Sequence, residues 1–402
     1  MASEKHEQDI KTQVVHTGIA LPPPVTGRPV TTPVYTTSTF TYDSMSEVDE
    51  VFSGEKPGYI YTRHGNPTVH ALEEAVRTLE GGEAACAYAS GMAALHAALL
   101  ACDLTTGAKV LASQDLYGAT LNLLYTIFGA FGVQTVIADF SDIETLREQA
   151  AELRPRALIA ETISNPLLKI CDIEACAAVA HEVGARLVVD NTFASPYLAR
   201  PLLSGADFVV HSATKFLGGH GDVTGGIVVA REATDAGALT GAMKLAGGIL
   251  GVWEAHEILR GIRTLAVRME RQCANAQSLA AHLAEHPRIA RVYYPALVVG
   301  EQSEILRRNL RAPFAGALVT VVLHDDTREG AFRFMDALRL CVRSTSLGDV
   351  FTSVLHPPTA SHRDLSPTRR RALGITDGLV RISVGIEEIK DIIEDINHAL
   401  DA

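Results

Sequence analysis

Cysteine is scarce and scattered in this chain. The six cysteines, at positions 86, 102, 171, 176, 273 and 341, form no CxxC pair and no regular framework. Free buried thiols in a reducing compartment are therefore expected, and a disulfide scaffold is not. Long apolar runs are missing too. None is long enough to span a bilayer, and the opening residues MASEKHEQDIKTQ are polar and acidic, with no apolar core of a secretory signal. The expected location is the cytoplasm. Positive charge is in deficit, with a formal net charge of −12, which argues against nucleic acid and anionic membranes as partners. The 15 histidines invite a metal, but His6-Glu7, His181-Glu182 and His256-Glu257 all lack a histidine four positions on. None can set two imidazoles on one helical face, so no metal is expected. There is no GxxxxGK loop, no GxSxG elbow and no internal repeat. Gly219-His220-Gly221 begins like a dinucleotide fingerprint but misses the third glycine by one position. What remains is a chain of 402 residues, 47% hydrophobic and 20% charged, long enough for two or three domains around a large core.

One stretch organises the rest. In ADFVVHSATKFLGGHGDVTGG, residues 206–226, the apolar run Phe208-Val209-Val210 reads as a buried strand. It gives way to Ser212, Thr214 and Lys215, then to five glycines between Gly218 and Gly226. Ile227-Val228-Val229 reads as a second buried strand. A lysine on a bend between buried strands is partly desolvated, which lowers its pKa and makes it a usable nucleophile. Two hydroxyls beside it suit a phosphate. Together they point to a phosphorylated aldehyde cofactor, pyridoxal 5'-phosphate (PLP). The bland alternative is a polar loop with a snorkelling lysine.

The remaining segments fit an α/β frame. Residues 1–60, with Pro22-Pro23-Pro24 and a Thr-rich stretch, have little regular pattern, and 1–62 is read as an extended arm lying on a neighbouring subunit. Asn66-Pro67 predicts a helix start, with Val69, Leu72, Val76 and Leu79 on its apolar face and Gly81-Gly82 as the stop. Residues 85–88 read as a strand, Ser90-Gly91-Met92 as a turn, and 93–101 as a buried helix whose free N–H groups could bind an anion. Strands at 110–112, 133–138, 157–160 and 187–189 alternate with helices at 117–131, 143–153 (capped by Asp142) and 173–183 (capped by Asp172). Continuous apolar strands between amphipathic helices predict a mostly parallel sheet covered on both faces, with ligands beyond the strands' carboxyl ends. Ser90, Glu161, Asp190 and the run His211 to Lys215 all fall at such ends. A helical region over 249–286 carries the predicted boundary between a domain over 63–258 and a smaller α+β domain over 259–402. In the latter, Ser344 to Asp349 is expected to be an irregular loop. Arg381 lies inside the apolar strand Leu379 to Val384 and needs a partner: a substrate carboxylate, an internal ion pair, or water at a sheet edge.

Taken together, the motifs resemble the PLP-dependent enzymes of cysteine and methionine metabolism, the cystathionine γ-synthase-like transsulfuration family. The pieces that carry the resemblance are Tyr61-Thr62-Arg63, Ala89-Ser90-Gly91-Met92, Glu161-Thr162 with Asn165-Pro166, Val189-Asp190-Asn191-Thr192, His211-Ser212-Ala213-Thr214-Lys215, Ser346-Leu347-Gly348 and Val380 to Gly385. It runs from Thr31 to the C-terminus and implies the aminotransferase-like fold type I. It implies that Lys215 holds PLP as a Schiff base and shuttles protons, that Asp190 pairs with the ring nitrogen, and that Tyr117 stacks on the ring and protonates the leaving group. Ser90, Gly91, Met92, Thr192, Ser212 and Thr214 would complete the cofactor's seat. Tyr61 and Arg63 would reach the phosphate of a neighbouring subunit, within a homotetramer whose active site is shared across a dimer. Asn165, Ser346 and Arg381 would hold the amino-acid substrate. Within the family, Thr345 stands where cystathionine-handling branches carry glutamate, and Ser346 to Asp349 with His356-Pro357 look like the methionine γ-lyase branch. Ala119 and Leu245 depart from it, standing where that branch usually has cysteine and aspartate. The implied reaction is γ-elimination from methionine or homocysteine; the alternative is γ-replacement on an O-acylhomoserine or in cystathionine chemistry.

Overall fold

The carboxyl ends of five strands are what position the candidate site. In a computed structural model describing residues 29–402, a seven-stranded sheet is built from β1 (Ala84–Tyr88), β2 (Lys109–Ser113), β3 (Gln134–Ala138), β4 (Ala157–Glu161), β5 (Arg186–Asp190), β6 (Phe208–Ser212) and β7 (Gly226–Ala230). Their order is β1-β7-β6-β5-β4-β2-β3. β7 is antiparallel to both neighbours, and every other pairing is parallel. β1, β2, β4, β5 and β6 therefore all end on one edge of the sheet. Successive residues alternate between two cores, as the strand period of two requires. Leu111, Leu158, Val189 and Val209 enter one core, and Val110, Ile159, Val188 and Val210 enter the other. A sheet buried on both faces explains the uninterrupted apolar runs in its strands.

The helices start where side chains satisfy their free N–H groups. Asp142 caps Ile143–Leu153, Asp172 caps Ile173–Glu182, and Asn66 caps Pro67–Glu80. In that last helix the buried face runs Leu72, Val76, Glu80, at a spacing of four. Leu79, expected on that face, is exposed. The carboxylate of Glu80 is instead fully enclosed beneath the sheet, accepting from Asn191 Nδ2 at 2.8 Å and lying 2.6 Å from His211 Nε2. The helical region over 249–286 is two helices, Val252–Ile262 and Leu265–Ala284. The break is held by buried Arg268, whose guanidinium donates to Gly261 O and to Phe216 O, both at 2.8 Å, while its Nε donates to Thr264 Oγ1 at 3.1 Å. It thereby also supports the backbone just after Lys215.

A second sheet follows, formed by β8 (Ile289–Tyr293), β9 (Leu318–Leu323), β10 (Val342–Arg343), β11 (Ser353–Leu355) and β12 (Leu379–Ser383), in the order β10-β11-β12-β9-β8. β10 and β11 flank the loop expected at 344–349 and are too short to show a period. Both sheets belong to one compact unit, residues 34–402. Thr320 on β9 donates to Pro166 O at 2.7 Å, tying the second sheet to the turn after β4. The first 28 residues of the expected arm lie outside the described residues. Residues 34–62 include a helix, Met45–Ser53, between Ser44 and Gly54. No helix among the described residues is long and apolar enough to cross a membrane, and these residues contain no cluster of metal-ligating side chains.

Candidate active site

The strand ends converge on a cavity of 490 Å3. Ser90, Gly91 and Met92 border it beyond β1, Tyr117 beyond β2, and Asn165 beyond β4. Asp190 and Thr192 border it at β5, and Ser212, Thr214 and Lys215 at β6, with Arg381 on β12 opposite. Ser346 completes the set, its Oγ accepting from Lys215 Nζ at 3.1 Å. Tyr61 and Arg63 are not brought to this cavity. They sit on an exposed turn, where Arg63 Nη1 donates to Lys244 O at 2.9 Å and its guanidinium lies 5.5 Å from the Tyr61 ring.

Close backbone packing shapes the end of the cavity near β1 and β6. Ser90 caps the helix Gly91–Leu100, accepting from Ala93 N at 3.2 Å. A Cβ on Gly91 would stand 2.7 Å from Ser212 Cβ, and one on Gly226 would stand 2.1 Å from Ser90 O. Only glycine permits this approach of a helix start to the β6–β7 turn. The result places the positive end of a ten-residue helix beside the hydroxyl of Ser212, with Thr214 lining the same cavity, an arrangement suited to a phosphate.

The centre of the cavity is electrostatically incomplete. Glu161 and Asp190 are register partners on β4 and β5; Glu161 is buried and Asp190 half-buried. Burial raises the Asp190 pKa, opposed by hydrogen bonds from Thr192 and by the charge of His211. Burial, then the neighbouring Asp190 charge, holds Glu161 well above the usual carboxylate range. Glu161 accepts the N–H of Tyr117 at 2.6 Å and of Asn165 at 3.1 Å, and so anchors two loops that reach the cavity. Thr192 N donates to Asp190 Oδ1 at 2.9 Å, and Thr192 Oγ1 accepts from Ser212 N at 2.8 Å. The Asp190 carboxyl at the cavity wall suits a cation facing it, and a protonated pyridine nitrogen meets that need. Burial lowers the Lys215 pKa, the Arg381 charge lowers it further, and Asp349 opposes both. A neutral amine results more readily there than in water.

Two of the three expectations for Arg381 are not met. β12 lies between β11 and β9, so the residue is not at an edge, and its side chain is buried. Among the described residues no carboxylate pairs with it. Nη1 donates to Asn165 Oδ1 at 2.9 Å and Nη2 to Ser346 O at 3.2 Å, while Nε is buried with no partner among the described residues. Burial brings its pKa down to about 10, opposed by nearby Tyr117 and Glu161. A buried guanidinium with donors to spare suits an incoming carboxylate.

Three contributors escaped sequence reasoning. Glu161 was legible as a strand end, but its role as anchor of Tyr117 and Asn165 was not. Ser361 lines the cavity, and its Oγ lies 2.9 Å from Nδ1 of buried His362. Burial, with Arg381 adding to it, lowers the His362 pKa to about 4, and a hydrogen bond to the Asn165 backbone opposes this. His362 thus braces both Ser361 and the Asn165 loop as a neutral imidazole. No local pattern announces either residue, because the Asn165 loop that His362 supports is distant from it in sequence.

Comparison with known proteins agrees with this geometry. The model of the family described as Cys/Met metabolism PLP-dependent enzyme matches residues 11–401. An L-methionine gamma-lyase from Pseudomonas putida is 41% identical over 97% of each chain. An O-succinylhomoserine sulfhydrylase from Pseudomonas aeruginosa is 39% identical over 92% of this chain and 90% of its own. Among solved structures, a putative O-acetylhomoserine (thiol)-lyase from Campylobacter jejuni, containing N'-pyridoxyl-lysine-5'-monophosphate, matches with a TM-score of 0.89 and 28% identity over 94% of this chain and 97% of that one.

Proposed function

Since the chain belongs to the Cys/Met metabolism PLP-dependent enzyme family, whose cofactor it shares, we propose that it eliminates the γ-substituent of a sulfur amino acid bearing a single carboxylate. Methionine plus water would give 2-oxobutanoate, ammonia and a thiol, and homocysteine would give hydrogen sulfide in the thiol's place. The observation that carries this reading is the charge lining of the cavity. Apart from Lys215, Arg381 is the only cation lining it among the described residues. One guanidinium can hold the α-carboxylate, and no second cation lining the cavity faces the distal carboxylate of a succinyl ester or of cystathionine. The walls around it include Met92, Leu95, Ile163, Phe193 and Leu347, which suit an alkylthio group.

PLP, when bound, supplies an aldehyde for the substrate amine and a ring that withdraws electrons from its α-carbon. The residues divide the remaining work. Ser90, Gly91, Met92, Ser212 and Thr214 would hold the phosphate, and Asp190, braced by Thr192, would keep the ring nitrogen protonated. Arg381, with Asn165 and Ser346 fixing its guanidinium, would orient the carboxylate. That would bring the α-hydrogen within reach of Lys215. Lys215 would take the α-proton and then the β-proton through an amine whose pKa burial lowers. Tyr117, its backbone pinned by Glu161, would donate a proton to the departing sulfur. Tyr61 and Arg63 would serve the phosphate of a neighbouring subunit in a cytoplasmic homotetramer. The domain over 63–258 would carry the cofactor, and the domain over 259–402 would supply Arg381.

A second reading is γ-replacement, in which sulfide or a thiol adds after the γ-substituent leaves. The same proton transfers serve it, and O-acetylhomoserine also carries a single carboxylate. A substrate panel read by release of 2-oxo acid, with and without added sulfide, separates the two. Elimination predicts 2-oxobutanoate from methionine or homocysteine regardless of sulfide. Thiol-dependent consumption of O-acetylhomoserine without 2-oxo acid would overturn it.

A further inference from the structure

Cys171 and Cys176 were read above as unrelated thiols. The fold brings their Sγ atoms to 3.7 Å. Asp172 is the N-cap of the helix Ile173–Glu182, so Cys171 precedes the cap and Cys176 is the fourth helical residue. These are the two positions of a hydrophobic staple, which fixes the angle at which the chain enters the helix. Here both members are thiols. Cys171 also borders a separate cavity of 550 Å3, which shares only Glu161 with the candidate active site. Cys176 lies buried behind it.

The other four cysteines are placed differently. Cys86 and Cys273 are buried, and burial pushes their thiols up to about 12. Burial also raises those of Cys102 and Cys341. Cys86 lies against Met243 Sδ at 3.6 Å and Cys102 against Ala98 O at 3.3 Å. Among the described residues, only Cys171 and Cys176 are recorded in sulfur-to-sulfur contact between cysteines.

We propose that Cys171 and Cys176 form a reversible oxidation site, a staple that a hydroperoxide converts from two thiols into a disulfide. The Cys171 thiolate attacks the peroxide: an S–O bond forms, the O–O bond breaks, and hydroxide or an alkoxide leaves. Cys176, giving up its proton to the departing oxygen, then attacks the sulfenic sulfur. The S–S bond forms, the S–O bond breaks, and water leaves carrying the Cys176 proton. Both sulfurs are oxidised and one peroxide is reduced. Closing 3.7 Å to a bond of about 2.05 Å requires a small shift of the chain just before the helix. That segment is tied to the active-site loop, since Cys171 N donates to Thr162 O at 3.2 Å, and to the helix Glu301–Asn309, whose Asn309 Nδ2 donates to Cys171 O at 2.9 Å.

The test uses the holoenzyme. After brief exposure to hydrogen peroxide, remaining thiols are alkylated under denaturing conditions and the peptides mapped. The expected result is a loss of two of the six thiols, a 171–176 link two mass units lighter than the dithiol, and full recovery on treatment with dithiothreitol. In Cys176→Ser the link is absent, and Cys171 is trapped as a dimedone adduct. Full alkylation of both residues in peroxide-treated wild type overturns the proposal. So does a link from Cys171 to any other cysteine, or a Cys171 that takes no dimedone in Cys176→Ser.

Discussion

Replacing Arg381 with lysine keeps a positive charge in β12 but removes the planar fork. In the structure two of the five guanidinium N–H groups are spent on Asn165 Oδ1 and Ser346 O, and the buried Nε has no partner among the described residues. The unspent donors are what a carboxylate would engage in parallel. An ammonium offers a point charge on a flexible stem and cannot reproduce that geometry while satisfying Asn165. Losing one hydrogen bond to a charged group costs about 1.5–3 kcal/mol, equivalent to a fall in kcat/KM of about 10- to 150-fold. The loss should fall mainly on KM, because the carboxylate is held before and during proton transfer alike. Steady-state kinetics with methionine measures the total. Methioninamide, which lacks the carboxylate, isolates the cause: wild type should lose rate on it, while Arg381→Lys should treat the two substrates nearly alike. A variant within about threefold of wild type on methionine, a difference of only ~0.6 kcal/mol, would refute the carboxylate assignment. So would a variant that still strongly prefers methionine over the amide.

Three further outcomes follow from buried groups. His362 is held neutral with a pKa of about 4, against an unfolded value near 6.5. Between those pH values the unfolded chain binds more protons, so stability rises with pH across the window and is lost as pH falls through it. The full effect is about 3 kcal/mol, and urea midpoints from pH 4 to 7 should show an acid limb that flattens in His362→Gln. Glu80→Ala leaves His211 and Asn191 enclosed without their shared carboxylate, and urea unfolding should show a loss of about 3–5 kcal/mol. Asp190→Asn removes the anion proposed for the ring nitrogen. Turnover should fall by about two orders of magnitude or more, the scale of removing one key electrostatic contact, while binding of PLP, followed by its absorption, persists.

The alternating strands and helices were legible because a sheet buried on both faces writes uninterrupted apolar runs into the sequence. The Asp142, Asp172 and Asn66 caps fixed helix starts to the residue. The convergence of Ser90, Asp190 and the Ser212–Lys215 run was legible for the same reason, since parallel strands deliver their carboxyl ends to one edge. The misreading at Leu79 has a physical cause. An apolar residue looks like core, but the helix turns Glu80 inward, where His211 and Asn191 offset the cost of burying its charge. β10 and β11 were invisible because two or three residues carry no period. Ser361, His362 and the contact between Cys171 and Cys176 depend on tertiary approach, which neither composition nor spacing records.

The central claim is that the amine of Lys215 carries the cofactor. Borohydride reduction of the purified holoenzyme, followed by peptide mapping, tests it directly. The account predicts a pyridoxyl group fixed on Lys215 and on no other residue, and no such label in Lys215→Ala. A label on another side chain, or an unlabelled Lys215 in protein that contains PLP, would contradict it.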